Sequence, residues 1–319
     1  MTNLIQSQSM ELSANLSSEE FSRNLSLAIL SKNTKIAYKS ATDCYLRSGF
    51  TLPATKKDVI EYLVHATKWT RRKNGASIEF TKTEQPLSPA SLQTHLAALA
   101  YYNEVFGGEN LKADKDIKNT LKLIKRERGA AQKQAKPILL VDIKTAIADK
   151  KMSQRDRTLL VLGFVTACRR SELANLNIAD LYFKEDGVEV LIRKSKTDQE
   201  GVGFTKYVTL GTKKFCPVQI LKDYLLERNM NEKAQSDEAL FLSKSGKRLT
   251  PKDVGRIVTK YFRDTTGHGL RAGFVTQAAS VGIQINRIAE QTGHKSLDMV
   301  MKYYRNARGL VDSPTNDLY

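Results

Sequence analysis

Four segments before residue 130 carry apolar side chains three and four residues apart, the spacing that gives an α-helix one apolar face. They are NTKIAYKSATDCYLRSGF, LPATKKDVIEYLVHATKW, SPASLQTHLAALAYYNEVFG and DKDIKNTLKLIKRERG. Thr55 and Ser88 can accept a hydrogen bond from the first turn of a helix, and Pro89 suits its first position. The sequence therefore predicts a helical domain over residues 31–130.

Polar segments separate this domain from what surrounds it. Residues 1–30 begin with a stretch rich in Ser, Asn and Gln, which predicts a flexible tail. The segment 71–87, RRKNGASIEFTKTEQPL, is polar and contains glycine, and we interpret it as a loop. The small, basic stretch 131–137 ends at Pro137 and predicts a linker.

After the linker the pattern changes, and residues 138–319 predict a second domain. A long apolar segment predicts a helix over 157–168, and two β-rich segments around a polar turn predict a hairpin near 188–210. Several helices follow to residue 305. The predicted fold class is mainly α with a small antiparallel β-sheet, the second domain being of the α+β type.

The chain has a large excess of positive charge. Lys and Arg number 51 against 34 acidic residues, which gives a net charge of +17 and indicates a polyanionic partner, most commonly nucleic acid. An anionic membrane surface is a weaker alternative, because the basic residues are spread over both halves of the chain. Charge that only keeps the protein soluble is a further alternative. Candidate DNA contacts are Arg71, Arg72, Lys73, Lys125, Arg126 and Arg128, although both clusters are also compatible with solvated surface.

Other features favour a cytoplasmic protein without a metal or cofactor. The three cysteines, Cys44, Cys168 and Cys216, are too far apart in sequence to predict a metal site, and the odd count fits a reducing compartment. The N-terminal sequence lacks the charged and apolar regions of a signal peptide, and no apolar run reaches the roughly 20 residues of a membrane span.

Two arginines each stand three residues from another ionisable side chain. Arg169 and Glu172 are three residues apart, and so are His268 and Arg271, which stand where a helix begins. A helix N-terminus with an adjacent guanidinium favours an anion, because amide donors, dipole and charge act together. Each pair alone is equally compatible with an ordinary surface ion pair or a locally satisfied histidine.

The helix that begins after Ser296 contains two adjacent tyrosines. Leu297, Val300, Met301 and Tyr304 follow the spacing of a buried stripe, so we assign Tyr304 to the core. Tyr303 lies about 100° away around the helix. The periodicity therefore predicts that the hydroxyl of Tyr303 is the accessible one.

These residue types together suit attack on a phosphodiester. Two arginines can hold the non-bridging oxygens and stabilise the charge of a pentavalent transition state. A lysine, for which Lys196 in the turn RKSKTDQEG is a candidate, can protonate the departing alkoxide, and a histidine can handle the proton of the tyrosine. The tyrosine would form a covalent phosphotyrosine, which conserves the bond energy for rejoining.

The ordered set Arg169, Glu172, Lys196, His268, Arg271, His294 and Tyr303 resembles the tyrosine site-specific recombinases, also called the phage integrase family. The resemblance runs from about residue 31 to 305, with likeness to Cre-like members in LPATKKDVIEYL, SPASLQTHLAAL, TGHGLRAGFVTQAASVGI and MVMKYYRN. It implies that Arg169 and Arg271 bind the scissile phosphate, Lys196 is the acid for the 5′ oxygen and His268 an acid/base residue. It also implies that His294 donates to the phosphate, Glu172 orients its neighbours and Tyr303 forms a 3′-phosphotyrosine.

The same resemblance implies a core-binding helical domain and a catalytic domain that hold double-stranded DNA with paired inverted-repeat sites, four subunits assembling as a tetramer on DNA. A type IB topoisomerase would share the chemistry, although the separate helical domain favours recombination. A catalytically inactive DNA-binding regulator is the alternative from another class, and it would need neither Tyr303 nor Lys196. Metal-dependent nucleases need converging carboxylates, and we find no such set in the sequence.

Overall fold

The computed structural model describes residues 30–65, 69–74, 77–82, 87–129, 135–195, 202–231, 233, 236–294, 296–308, 313 and 316. The chain divides into two units, Met1–Gln132 and Lys133–Tyr319, and each is described by itself below. Residues 1–29 of the predicted tail and residues 131–134 of the predicted linker lie outside the described ranges.

The first unit is a helical cluster with a two-stranded sheet. Its elements are α1 (Lys32–Arg47), α2 (Lys56–His65), β1 (Trp69–Asn74), β2 (Ser77–Lys82), α3 (Pro89–Val105) and α4 (Lys115–Arg128). Its helices begin at polar caps, since Ser31, Ser88 and Asp114 each accept from a backbone N–H of the first turn of the following helix. The apolar faces meet in a core that includes Tyr45, Leu99 and Ile117, so all four predicted helices are present.

The interpretation of residues 71–87 as a loop is wrong for most of that segment. Strands β1 and β2 pair antiparallel from Trp69 opposite Lys82 to Asn74 opposite Ser77. Asn-Gly between runs that contain Thr, Ile and Phe is a strong hairpin signal, and it stands at residues 74 and 75. The high polarity of the segment concealed that signal.

The second unit contains the remaining helices around a three-stranded antiparallel sheet of order β3–β4–β5. Its elements are α5 (Leu140–Ile147), α6 (Gln154–Val165), α7 (Arg170–Asn175), a 3₁₀ turn (Ile178–Asp180), β3 (Leu181–Phe183), β4 (Gly187–Ile192), β5 (Phe204–Thr209), α8 (Pro217–Glu227), α9 (Pro251–Tyr261), α10 (Gly269–Ser280), α11 (Ile285–Thr292) and α12 (Asp298–Arg308). The predicted fold class, mainly α with a small antiparallel sheet, is confirmed. The predicted helix 157–168 instead spans Gln154–Val165. It begins earlier because the Ser153 hydroxyl accepts from the Asp156 N–H, and it ends at the C-cap Thr166.

The predicted hairpin near 188–210 is also present. Strands β4 and β5 pair antiparallel from Gly187 opposite Thr209 to Ile192 opposite Phe204. The side chains of β5 alternate, so that Lys206 and Val208 are buried while Tyr207 and Thr209 are exposed. Hence β5 presents one face to the core of this unit, and a lysine stands on that face.

The segment before α5 lies directly against α10. The Ile138 N–H donates to the Gly269 carbonyl at 3.1 Å. A Cβ on Gly273 would stand 1.7 Å from the Ile138 carbonyl oxygen, so only glycine permits this approach. The chain therefore enters the second unit through contact with the helix that carries Arg271.

Within the described ranges, none of the helices is both long and apolar enough to cross a membrane.

Candidate active site

Arg169 and Glu172 form a close ion pair at the start of α7. The Arg169 Nη1 donates to the Glu172 Oε1 at 2.6 Å, and the Arg169 backbone N–H donates to the Glu172 Oε2 at 2.9 Å. Arg169 precedes the helix and Glu172 occupies its third position, so the carboxylate also satisfies an otherwise free amide at the helix N-terminus. The Glu172 side chain is fully buried, whereas one fifth of the Arg169 side chain stays exposed.

Arg271 projects from α10 into the interior and contacts the turn before Arg169. Its Nη1 donates to the Ala167 carbonyl at 3.0 Å, and the residue is 2% exposed. Ala167 has a φ of 48°, a left-handed conformation that is strained for a residue with a Cβ. Burial, followed by the nearby charge of Arg169, lowers the pKa of Arg271 to about 10, while Glu172 opposes that shift.

His294 completes a direct link to Arg271. Its Nε2 lies 2.9 Å from the Arg271 Nη2, and its Nδ1 lies 2.7 Å from the Thr292 Oγ1. The Thr292 hydroxyl donates to the Ile288 carbonyl, so it accepts from Nδ1–H, and Nε2 accepts from the guanidinium. Burial and then the charge of Arg271 lower the pKa of His294 to about 4, which leaves the imidazole neutral at pH 7.

His268 stands at the other end of the same arrangement, at the N-cap of α10. Although the residue as a whole is exposed, desolvation of its imidazole, followed by the positive charges of Arg271 and Arg169, lowers the pKa of His268. A neutral histidine at this position can accept a proton.

The two tyrosines are arranged differently from the prediction. Tyr303 is buried in the cluster between α10 and α12, whereas Tyr304 is only partly buried and has Arg308 over its ring. The prediction anchored the apolar stripe on Leu297, which lies before α12 and is 46% exposed. The observed inward face starts from Val300 and includes Tyr303, so the assignment of Tyr304 to the core and Tyr303 to its margin is wrong.

Although Tyr303 is buried, its hydroxyl still interacts with the charge of Arg271. Desolvation raises the pKa of its hydroxyl, and the charge of Arg271 acts against that rise. The charge of Tyr303 acts in turn on Arg271. Tyr303 is thus close enough to Arg271 to interact with it electrostatically, and it stays a candidate nucleophile.

Lys196 lies outside the described residues, between β4 and β5. Arg71, Arg72 and Lys73 lie in strand β1, for which the structure describes the backbone but not the side chains. Lys125, Arg126 and Arg128 occupy the last turn of α4, where Arg126 and Arg128 are exposed and Lys125 is half-buried. Basic side chains there also interact favourably with the helix dipole.

Two residues at the site were missed by the sequence reasoning, Lys206 and Gln291. The Lys206 Nζ donates to the carbonyls of Thr166 and Gln291, and the Gln291 amide donates to the carbonyls of Val165 and Tyr207. The alternation in FTKYVT carried a signal for the first of them. It places a lysine on the same face as Phe204 and Val208, at a position where an apolar residue is normal.

Among the residues that the structure describes, no three His, Cys, Asp or Glu side chains come together in a way that could hold a metal ion.

A model of the phage integrase family matches residues 133–309, more than half of the chain. The chain belongs to the phage integrase family. This places it among the tyrosine recombinases, and the matched region contains all seven residues of the predicted catalytic set.

Relatives of this phage integrase family chain include several recombinases. It is 32% identical over 227 residues to an integrase/recombinase XerD homolog from Selenomonas ruminantium, covering 67% of this chain and 66% of the relative. The chain thus spans slightly less than two thirds of that protein. It is 26% identical to the TnP I resolvase from Bacillus thuringiensis, covering 74% of this chain and 80% of the resolvase. Tyrosine recombinase XerD from Oceanobacillus iheyensis is 23% identical, covering 79% of this chain and 86% of that protein.

Solved structures of integrases share its fold. The Tn1549 transposon integrase in complex with circular intermediate DNA matches with a TM-score of 0.59 at 18% identity, covering 91% of this chain and 94% of that one. A λ integrase dimer bound to a core site matches with a TM-score of 0.56 at 16% identity, covering 97% and 96%.

Proposed function

We propose that this protein is a site-specific DNA recombinase that cuts and rejoins DNA strands through a covalent 3′-phosphotyrosine at Tyr303. The observation that carries the proposal is that Arg271 contacts both His294 and the carbonyl of Ala167, which lies in the turn before Arg169. The charge of Arg271 also acts on the hydroxyl of Tyr303. Guanidinium groups suit a phosphate because they present planar, always-charged donors.

In the proposed cleavage step the Tyr303 oxygen attacks phosphorus, and the bond from phosphorus to the 5′ oxygen breaks. The tyrosine proton passes to neutral His268, and the departing 5′ oxygen receives a proton from Lys196 and leaves as a hydroxyl. Arg169 and Arg271 bind the non-bridging oxygens, where negative charge grows. Rejoining is the reverse of these steps, with a 5′ hydroxyl as the nucleophile.

Two residues support this step from beside the phosphate. His294 donates to a phosphate oxygen, which requires a proton on Nε2, and the negative charge of bound phosphate favours that proton. Glu172 holds Arg169 through its charge-assisted bond. The mechanism uses no metal ion and no cofactor, because two guanidinium groups supply the positive charge.

The proposed partner is double-stranded DNA with paired inverted-repeat sites, on which four subunits assemble. The relatives named as recombinases or as a resolvase, and the related integrases crystallised with DNA, support DNA as the partner. The net charge of +17 is of the right sign for such a polyanion. We also propose that the protein is most similar to Cre-like members of the family. Its proposed location is the cytoplasm.

The experiment that tests the proposal is the trapping of a covalent adduct. DNA that binds the protein is selected from a random-sequence duplex pool, and the selected site is nicked near the cut so that the released short strand diffuses away. We expect a protein–DNA adduct that resists denaturation and forms equally fast in EDTA. A binder without any adduct would support the inactive regulator, and loss of the adduct in EDTA would overturn the metal-free mechanism.

A second assay separates recombination from topoisomerase-like relaxation. Plasmids carrying two copies of the selected site should exchange strands, whereas a supercoiled plasmid without the site should stay supercoiled. Efficient relaxation of the site-free plasmid, without any exchange between paired sites, would favour the type IB alternative.

The last turn of α4 provides a test of the DNA contacts. We expect replacement of Lys125, Arg126 and Arg128 by alanine to flatten the plot of log affinity against log salt by roughly 0.9 per lost phosphate contact. The measurement is a set of DNA titrations between about 50 and 200 mM salt.

A matched control removes three exposed positive charges from the same helix, through alanine at Lys115, Lys118 and Lys122. Its slope should change less than that of the first variant, because it loses net charge without the proposed contacts. An unchanged slope in the first variant would remove the end of α4 from the interface.

A further inference from the structure

Lys206 is a buried cation beside the candidate active site. It is 0% exposed on the inward face of β5, and its Nζ donates to the Thr166 carbonyl at 2.7 Å and to the Gln291 carbonyl at 2.9 Å. The Phe204 ring lies 5.2 Å from the same nitrogen. The side chain therefore joins three parts of the second unit: strand β5, the turn after α6 and the last turn of α11.

Arg271 joins two of the same segments. Its guanidinium donates to the carbonyl of Ala167, the residue after Thr166, and contacts His294, which follows the last turn of α11. Lys206 and Arg271 thus form parallel bridges between the turn that leads to Arg169 and the segment that leads to His294. Adjacent carbonyls of one strained turn each accept a hydrogen bond from a different buried cation.

Neighbouring contacts reinforce the bridge made by Lys206. The Gln291 amide donates back to the Val165 and Tyr207 carbonyls, both at 3.0 Å. The Phe204 ring covers Gly293, which has a φ of 66° and immediately precedes His294. A Cβ at that glycine would stand 2.8 Å from the ring. Strand β5 is consequently packed against the turn that orients His294.

Burying an ammonium group does not by itself raise the free energy of unfolding. Its transfer from water is unfavourable, and apolar residues of similar volume often replace buried charges with little loss of stability. Desolvation lowers the pKa of Lys206, and the charges of Arg271 and Arg169 act in the same direction. Glu172 opposes this shift, as it does for Arg271. The lysine is held in an unfavourable environment next to the groups that would bind phosphate.

We propose that Lys206 is a positioning residue that fixes Arg271 and His294 in the geometry needed to bind the scissile phosphate. This inference rests on the proposed function of the site. Lys206 contacts no substrate itself. It holds the Thr166–Ala167 turn and the end of α11 at the separation that Arg271 spans, because its nitrogen reaches both carbonyls at once.

The test is a double-mutant cycle between Lys206→Met and Arg271→Ala, measured as the single-turnover rate of covalent adduct formation on the selected, nicked DNA site. Lys206→Met should lower the rate by roughly 10- to 100-fold, the scale expected when reacting groups are misplaced by about 1 Å. In the Arg271→Ala background, the same substitution should cause a clearly smaller loss, because one of the two groups that it positions is already absent.

A purely structural lysine predicts a different result. Lys206→Met would then lower the rate by the same factor with or without Arg271, and that additivity would overturn the proposal. An unchanged rate in the single variant would overturn it as well. DNA affinity and melting temperature are measured in parallel, and Lys206→Gln, which keeps a donor group without the charge, replaces Lys206→Met in the cycle if that variant does not fold.

Lys213→Met is the matched control, because Lys213 is an exposed lysine of the same unit and its loss changes the net charge equally. Its adduct rate should equal that of the unaltered protein.

The unaltered protein itself tests the proposed function. If it forms no adduct, the function fails, whereas a normal adduct with an additive cycle rejects only the role of Lys206.

Discussion

We expect replacement of Tyr303 by phenylalanine to abolish the proposed covalent protein–DNA adduct, with the rate of cleavage falling by at least about 10⁴-fold. The reason is that the variant has no nucleophile, and removal of a nucleophile typically eliminates most of an enzyme's rate enhancement. DNA binding should stay close to that of the unaltered protein, since the ring that packs against α10 remains in place. The measurement is adduct formation on the selected nicked site, with affinity measured separately.

Tyr304→Phe is the matched control, because it removes one hydroxyl from the adjacent residue of the same helix. It should form the adduct at the normal rate. Peptide mapping of the adduct should identify residue 303 as the attached tyrosine. Attachment at residue 304, or a Tyr303→Phe variant that still cleaves, would reject the assignment of the nucleophile.

The second large effect is expected from Arg271 and Arg169, the two arginines that we propose bind the phosphate. Arg271→Ala should lower cleavage by at least about 10²-fold, the scale of removing one preorganised donor from a transition state. The substitution also leaves the Ala167 carbonyl and the His294 Nε2 without their hydrogen-bond donor. Arg169→Ala should have a similar effect, because it also frees the buried carboxylate of Glu172. Single-turnover cleavage at saturating protein separates this loss from weaker binding.

Arg228→Ala provides a matched control for the structural part of that loss. Arg228 is also a largely buried arginine of the second unit, and its Nη1 donates to the carbonyls of Ala239 and Leu240. Its loss should lower the melting temperature without slowing cleavage by the folded protein. If Arg228→Ala and Arg271→Ala slow cleavage equally, the effect of Arg271 is one of folding and its proposed role is rejected.

Short-range patterns made much of this architecture predictable. The spacing of Arg169 and Glu172 predicted a pair on one helical turn, and the structure contains that ion pair together with a helix cap. Helical periodicity and polar caps likewise predicted the helices of the first unit, because amphipathic segments of this length can bury only one face. Local sequence determines these features, so local reasoning recovers them.

Features set by distant contacts were not predictable in the same way. The orientation of α12 depends on its packing against α10, so a stripe counted from Leu297 selected the wrong tyrosine for the core. Arg271 and His294 are far apart in sequence, and only the folded chain brings their nitrogens to 2.9 Å. Lys206 was overlooked because its partners are backbone carbonyls, which no sequence motif records.

The close approach of Ile138 to Gly273 fixes the first residues of the second unit on α10. The Ile138 backbone meets that helix at Gly269 and Gly273, which lie two residues before and two residues after Arg271. An alanine at position 273 could be accommodated only if one of the two backbones moved, because its Cβ would overlap the Ile138 carbonyl oxygen. The glycine therefore sets how closely the incoming chain can lie against the part of α10 that carries Arg271.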